Sequence, residues 1–152
     1  MKLISHRANV DGPNSDFENN PIQIDICIEK GYDVEVDLRI DQDTGRLWLG
    51  HDTPQYMVTW EWVNNRCDNL WIHCKDLNTI DKMLGSNFNY FWHQEDDYTL
   101  TSKNIIWAYP GKPYSSNTVI VMPEWENTDW DVLKNVDCYG ICSDYVGELN
   151  NV

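Results

Sequence analysis

The stretch "DVEVDLR", residues 33–39, combines an alternating apolar pattern with two closely spaced carboxylates. Its valines and leucine alternate with charged residues, as in an extended strand, where every second side chain lies on the same face. Glu35 and Asp37 therefore share one face, one pleat apart. Two carboxylates this close repel each other unless a positive charge lies between them. The stretch thus predicts a strand that needs a cationic partner.

Short apolar runs recur along the rest of the chain, and most are too short and too apolar to be half-exposed strands. They predict buried strands that are covered on both faces. They are "KLIS" (2–5), "RLWLG" (46–50), "LWI" (70–72), "YFW" (90–92), "IIWAYP" (105–110), "TVIVMP" (118–123) and "YGICS" (139–143).

Helices are predicted between several of these runs. In residues 20–31 the alternating isoleucines favour a strand, but Pro21 and Gly31 are start and stop signals, so we predict a helix. Asp76 is expected to cap a second helix, with Leu77, Ile80 and Leu84 on its buried face. Two further stretches are helix candidates, residues 127–136 and, more weakly, 56–66.

Strands that alternate with helices indicate a parallel sheet, and the number of short strands favours closure into a barrel. A full eight-fold barrel takes about 200 residues or more, and this chain has 152. We therefore predict an abridged TIM-like (β/α) barrel with several helices missing or shortened, forming a single domain over residues 1–152. Residues 110–117 are either a bare loop or not part of a parallel crossover, which needs roughly a dozen residues.

The composition restricts the partners and the compartment. A formal net charge of −14 argues against nucleic acid and anionic membrane surfaces. No apolar stretch is long enough for stable membrane insertion, and a strand beginning at residue 2 argues against a signal peptide. Five cysteines without a CxxC pair indicate reduced thiols, as in the cytoplasm. The eight tryptophans belong either to the core or to a ligand platform, and the core is favoured for Trp71, Trp92 and Trp107.

Chemically active side chains follow the predicted strands. All four histidines come directly after an apolar run, and they are His6, His51, His73 and His93. Glu124 and Asp144 are placed in the same way. A single histidine after a strand is usually structural, but active sites of parallel barrels lie at the carboxyl ends of the strands. Together with Glu35 and Asp37, these residues predict one constellation at the barrel mouth.

Several motifs resemble the glycerophosphodiester phosphodiesterase family, which belongs to the phosphatidylinositol-phospholipase-C-like superfamily. They are "LISHRAN" (3–9), "FEN" (17–19), "GYDVEVDLR" (31–39), "LWLGHD" (47–52) and "GICSDY" (140–145). Three residues depart from the family pattern. Ala8 replaces a glycine, Phe17 replaces a proline, and His73 in "LWIHCKD" (70–76) replaces a metal-binding glutamate.

The resemblance implies a divalent cation between Glu35 and Asp37. This cation would be the positive partner that the two carboxylates need. His73 would complete this metal site. Mg²⁺ or Ca²⁺ is expected first, because carboxylate oxygens suit hard cations. Mn²⁺ or Zn²⁺ is the alternative, because an imidazole nitrogen suits transition metals better.

The resemblance also implies metal-dependent hydrolysis of a glycerophosphodiester-like substrate, as in lipid metabolism. His6 and His51 would be the catalytic acid and base, in an order that the sequence leaves open. Arg7 would assist catalysis and, with Lys75, bind the phosphate. His93 and Glu124, at strand ends, are further candidates for substrate binding.

Two other functions remain open at this stage. One is phospholipase C- or D-like cleavage that releases a cyclic phosphate. The other is a non-catalytic, Trp-rich domain that binds a phosphoglycan. Six potentially catalytic residues occur together, which favours an enzyme, since a binding domain has no need to keep them all. They are His6, Arg7, Glu35, Asp37, His51 and Lys75.

Overall fold

The computed structural model describes residues 1–150, so residues 151–152 of the predicted domain lie outside the described part. Within it are ten strands and four α-helices. The strands are β1 (Lys2–His6), β2 (Asp33–Ile40), β3 (Leu47–Leu49), β4 (Tyr56–Val58), β5 (Leu70–Cys74), β6 (Asn89–Phe91), β7 (Tyr98–Leu100), β8 (Ile106–Ala108), β9 (Thr118–Val121) and β10 (Gly140–Ser143). The helices are α1 (Pro21–Glu29), α2 (Trp60–Asn64), α3 (Leu77–Met83) and α4 (Trp130–Leu133). Two 3₁₀ turns come after β9 and β10, at Pro123–Trp125 and Val146–Leu149.

The strands form one curved, mainly parallel sheet. Parallel pairing runs in the order β6-β5-β2-β1-β10-β9-β8, and β7 adds an antiparallel edge to β8. The β3–β4 hairpin continues antiparallel from the end of β2. In the described residues β6 and β8 do not pair. The gap is spanned by packing of Phe91 on Trp107, with ring centroids 4.6 Å apart, and by hydrogen bonds between Tyr90 of β6 and Ser102 in the turn between β7 and β8. The abridged TIM-like barrel is confirmed.

Capping signals located the helices well. The Asn20 side chain accepts a hydrogen bond from the Ile22 amide at 2.9 Å, and Pro21 is the first residue of α1. The Asp76 side chain likewise accepts from the Thr79 amide at the start of α3. None of the helices in this described part combines the length and apolarity needed to cross a bilayer.

The predicted buried face of α3 was right for Ile80, which packs against the core, and wrong for the two leucines. Leu77 and Leu84 are exposed, whereas Thr79 and Met83 are fully buried. The pattern assumed a helix that continues through residue 84. The helix instead ends at Met83, and Leu84 has extended backbone angles. The buried hydroxyl of Thr79 is tolerated because it donates a 2.8 Å hydrogen bond to Asp76.

Other stretches were predicted only in part. Residues 56–66 form a strand and then a helix, because the Thr59 hydroxyl caps α2 by accepting from the Trp62 amide. The helix within 127–136 is limited to Trp130–Leu133. Residues 110–117 are a loop without a helix although β8 and β9 are parallel, so the first of the two expectations for this segment is correct.

The interior of the barrel is packed with apolar side chains. A cluster that includes Ile4, Trp71, Phe91, Trp107 and Val119 fills the space enclosed by the sheet. Trp71 and Trp107 are buried as expected. Trp92 is 45% exposed, so its assignment to the core was wrong.

Candidate active site

Three neighbouring strands bring the predicted polar residues together. In the parallel register His6 of β1 pairs with Glu35 of β2, and Asp37 of β2 pairs with His73 of β5. Side chains paired in this way point to the same side of a sheet. Glu35 and Asp37 are almost completely buried, as the shared-face argument requires.

Cationic side chains surround the two carboxylates. Asp37 Oδ1 lies 3.4 Å from His73 Nδ1 and 3.7 Å from Lys75 Nζ, and Asp37 Oδ2 lies 3.2 Å from Arg7 Nε. Burial alone would raise the pKa of Asp37, but His73 and Arg7 hold it well below its usual range. Asp37 is therefore ionised at neutral pH.

Asn19 is a site residue to which sequence reasoning gave no role. Its Nδ2 donates to Asp37 Oδ2 at 2.9 Å, and its Oδ1 accepts from the Asp37 amide at 2.9 Å. This double hydrogen bond fixes the Asp37 side chain. The "FEN" motif contained the signal, since an amide can satisfy a donor and an acceptor at once.

The carboxylates have the features of a cation site. Glu35 Oε2 and Asp37 Oδ1 are buried and accept no hydrogen bond. Ligand atoms of Glu35, Asp37 and His73 all lie within 4.8 Å of one another. Burying carboxylate oxygens that accept no hydrogen bond is costly, and the neighbouring basic groups at 3.4 and 3.7 Å from Asp37 Oδ1 offset that cost only in part. A bound cation would coordinate these oxygens directly. The residues present therefore fit a divalent metal ion.

Asp144 holds the first catalytic candidate in position. Its Oδ1 lies 2.7 Å from His6 Nδ1 and accepts a 2.8 Å hydrogen bond from Asn9. His6 Nε2 faces Glu35 Oε2 at 3.9 Å. Burial opposes protonation of His6, but the hydrogen bond to Asp144 and the charge of Glu35 outweigh it and raise the pKa of His6.

His51 follows Gly50 in a turn bonded to the same edge of β2 as β1, but it is not among the described residues that line the cavity beside His6. The Arg7 amide donates to the Glu35 carbonyl, and the Gly50 amide donates to the Asp37 carbonyl, each at 3.0 Å. These carbonyls are two residues apart, or about 7 Å along the strand. The Arg39 guanidinium secures the turn by donating to the carbonyls of Gly50 and His51. The His51 ring is partly exposed and its Nδ1 lies 2.7 Å from Asp52.

The two predicted substrate-binding residues on other strands differ in their surroundings. His93 lines the same cavity as His6 and His73, and burial lowers its pKa. Glu124 accepts hydrogen bonds from the Ser143 hydroxyl and the Asp144 amide, both at 2.9 Å. Both Glu124 oxygens are thus engaged within the chain, where they brace Asp144.

The cavity at the mouth has a volume of about 240 Å³ and two unlike walls. One wall is polar, and it consists of His6, Arg7, Glu18, Glu35, His73 and Asp144. The opposite wall is mainly aromatic and apolar, and it consists of Phe91, Trp107, Tyr109, Pro110, Val121, Met122 and Trp125. Such a cavity can bind an anion on one side and a carbon-rich group on the other.

No protein-family model matches the sequence, and no curated protein matches it significantly. Two solved structures are similar over nearly the whole chain. One is a protein from Galdieria sulphuraria described provisionally as a glycerophosphodiester phosphodiesterase, with a TM-score of 0.54, 14% identity, and coverage of 99% of this chain and 97% of that chain. The other is the glycerophosphodiester phosphodiesterase from Agrobacterium tumefaciens str. C58, with a TM-score of 0.50, 13% identity, and coverage of 98% and 97%.

This chain has the fold of these two proteins. The expected family resemblance is therefore confirmed at the level of the fold. Function has to be argued from the residues at the mouth, because folds host many chemistries.

Proposed function

We propose that this protein is a phosphoric diester hydrolase that cleaves a small, glycerophosphodiester-like substrate with the help of a divalent metal ion. One observation carries the proposal. Six polar residues that lie on or directly after β1, β2 and β5 converge on one mouth of a fold shared with glycerophosphodiester phosphodiesterases. They are His6, Arg7, Glu35, Asp37, His73 and Lys75.

Arg7 and Lys75 would hold the phosphate. A protein with a net charge of −14 repels an anionic substrate unless positive charge is concentrated at the site. The side chains of Arg7 and Lys75 are only 20% and 15% exposed, so their charges are poorly screened. Arg7 Nη1 lies 3.5 Å from Glu18, which orients the guanidinium across the cavity. Its planar fork suits two phosphate oxygens.

His6 and His51 would move the protons. Asp144 keeps His6 Nδ1 engaged, so Nε2 is the atom of His6 that exchanges a proton with the substrate or water. His51 would serve the opposite side of the scissile bond from its turn beside β2. Their shared position along one edge of β2 supports this pairing.

Glu35, Asp37 and His73 would hold the metal ion. A bound divalent ion supplies Lewis-acid stabilisation of charge on the phosphoryl oxygens. The buried oxygens of Glu35 and Asp37 that accept no hydrogen bond support this assignment. Asn19 keeps Asp37 in the orientation that leaves Oδ1 available.

We extend the proposal to the remaining substrate contacts, the domain and the compartment. His93 and the aromatic wall would contact the alcohol part of the substrate, while Glu124 would act indirectly by bracing Asp144. The chain would work as one domain on a small molecule, without nucleic acid. All five cysteines are free thiols, which supports a reducing, cytoplasmic compartment.

The test is a phosphodiesterase assay with a panel of glycerophosphodiesters, run with each divalent metal and with a chelator. We expect turnover that the chelator abolishes and added metal restores. ³¹P NMR of the products separates hydrolysis to a monoester from release of a cyclic phosphate. Binding of these compounds without turnover under any metal would contradict the proposal.

A further inference from the structure

The orientation of the His73 ring can be read from its hydrogen bond. His73 Nε2 lies 2.9 Å from the backbone carbonyl of His93. A carbonyl oxygen only accepts, so Nε2 carries the hydrogen. Stacking on Phe91, with centroids 5.0 Å apart and ring planes at 15°, holds the ring in the same orientation. Nδ1 is therefore fixed on the side away from His93.

That second nitrogen points at the carboxylates. Nδ1 lies 3.6 Å from Glu35 Oε1 and 3.4 Å from Asp37 Oδ1. A metal-bound histidine commonly donates its other ring N–H to a backbone carbonyl, which fixes its tautomer. His73 has this arrangement, with the His93 carbonyl as the outer partner.

Few oxygen atoms are left for a hard cation. Asp37 Oδ2 already accepts from Asn19 and lies beside the Arg7 guanidinium. The described cluster therefore offers carboxylate oxygens from two residues together with one imidazole nitrogen. Ca²⁺ takes six to eight oxygen ligands, whereas imidazole suits first-row transition metals.

We propose that His73 Nδ1 is a direct metal ligand and that it makes the site prefer Mn²⁺ or Zn²⁺ over Mg²⁺ or Ca²⁺. This inference deepens the proposed function and rests on its metal site. It reverses the order of metals expected from the sequence. The His93 carbonyl is the positioning group, and the His93 ring is not a ligand.

Pulsed EPR of the purified protein loaded with Mn²⁺ tests the ligand directly, because a coordinated nitrogen gives a hyperfine coupling. We expect this coupling in the wild type and in His93→Ala, which removes the His93 imidazole from the cavity but keeps the backbone carbonyl. We expect its loss in His73→Glu and in His73→Gln, so that the test does not depend on one variant folding. Circular dichroism verifies the fold of each protein.

Calorimetric titration with Zn²⁺ and Ca²⁺ alone tests the preference. His73→Glu supplies oxygen in place of nitrogen, so the Zn²⁺-to-Ca²⁺ affinity ratio should fall by about tenfold or more. A coupling that survives in both His73 variants, a coupling lost in His93→Ala, or an unchanged affinity ratio would overturn the inference.

The two proposals fail in different ways. Turnover together with Mn²⁺ binding that lacks a nitrogen coupling would reject His73 as a ligand and leave phosphodiester hydrolysis standing. A nitrogen coupling without turnover of any diester would support the ligand assignment and reject the activity.

Discussion

The two walls of the mouth are built from different halves of the barrel. On the polar wall, β1, β2 and β5 are linked through α1 and α2. Asn19 donates a hydrogen bond to the buried Asp37, and Asp144 accepts one from His6. On the aromatic wall, β8 and β9 are joined by a loop. In the described part β6 and β8 are connected by ring packing and by hydrogen bonds between Tyr90 and Ser102, in the turn between β7 and β8, rather than by strand pairing. Buried charges need exact partners, whereas apolar packing tolerates variation. The comparison indicates that connecting helices and hydrogen bonds are present on the wall whose chemistry requires fixed geometry.

The largest expected effect comes from removing a proton-transfer group on the polar wall. His6→Ala should lower kcat by about 10²–10⁴-fold, because a positioned acid or base contributes that much. His93→Ala on the opposite wall should lower kcat/KM by less than about tenfold, as expected for one substrate contact. Steady-state kinetics on folded variants provides the measurement. Equal losses of kcat/KM in the two variants would contradict the functional difference between the walls.

Gly50 tests how strictly the polar wall is fixed. Its φ is +152°, and a Cβ placed there would lie 2.0 Å from the Thr53 carbonyl oxygen. Gly50→Ala should therefore destabilise the protein by about 3 kcal/mol or more and displace His51, with a loss of kcat. Gly45→Ala is the matched control, since its φ is +69° but no atom lies within 4 Å of the added Cβ. That variant should cost only about 1–2 kcal/mol. Urea denaturation measures both, and similar costs would contradict the proposed rigidity.

Hydrogen exchange compares the stability of the two halves. In the described part β7 pairs only with β8, and Tyr98 and Leu100 of β7 are exposed. Amides of β7 and β8 should exchange at least about tenfold faster than those of β2 and β5, which corresponds to about 1.4 kcal/mol in opening free energy. Mass spectrometry of exchanged peptides provides the data. Equal protection would show that the β7–β8 half is held as firmly as the half in which every neighbouring strand pairs.

The smallest effect concerns thiols, which report on opening without disturbing the fold. Cys67 is partly exposed. Burial raises the pKa of Cys74 in β5 to about 12, and it also raises the pKa of Cys142 in β10 well above its usual value. A thiol reagent should modify only Cys67 in the native protein, faster as pH rises because the thiolate reacts. Cys67→Ser should abolish this reaction and change stability by less than about 0.5 kcal/mol. Rapid native labelling of a second thiol would point to opening of a strand that is buried here.

Local signals in the sequence were enough to predict the barrel and most of the polar wall. Asn20 with Pro21, and Asp76, mark helix starts because capping depends on atoms within three residues. Alternation along 33–39 placed Glu35 and Asp37 together because pleating is also local. The split at Thr59 and the exposure of Leu84 were missed because they depend on where each element ends.

Contacts between distant residues could not be read in the same way. The position of Asp144 after a strand was noted, but its hydrogen bond to His6 requires β10 to lie beside β1. The bond from His73 to the His93 carbonyl depends likewise on the path of the chain after β6. Residue types and spacing predict which groups gather at a barrel mouth, but they do not predict which atom faces which.

The pairing of β1 with β10 has a consequence for synthesis of the protein on the ribosome. His6 and its partner Asp144 are 138 residues apart, so the histidine is made long before the carboxylate that orients it. At about 5–20 residues per second, β1 waits roughly 7–28 s for its second neighbour in the sheet. During that interval one edge of β1 has no strand to bond to, and the polar wall is incomplete. The nascent chain therefore acquires its oriented His6, and with it the competence proposed here, only after β10 has been translated.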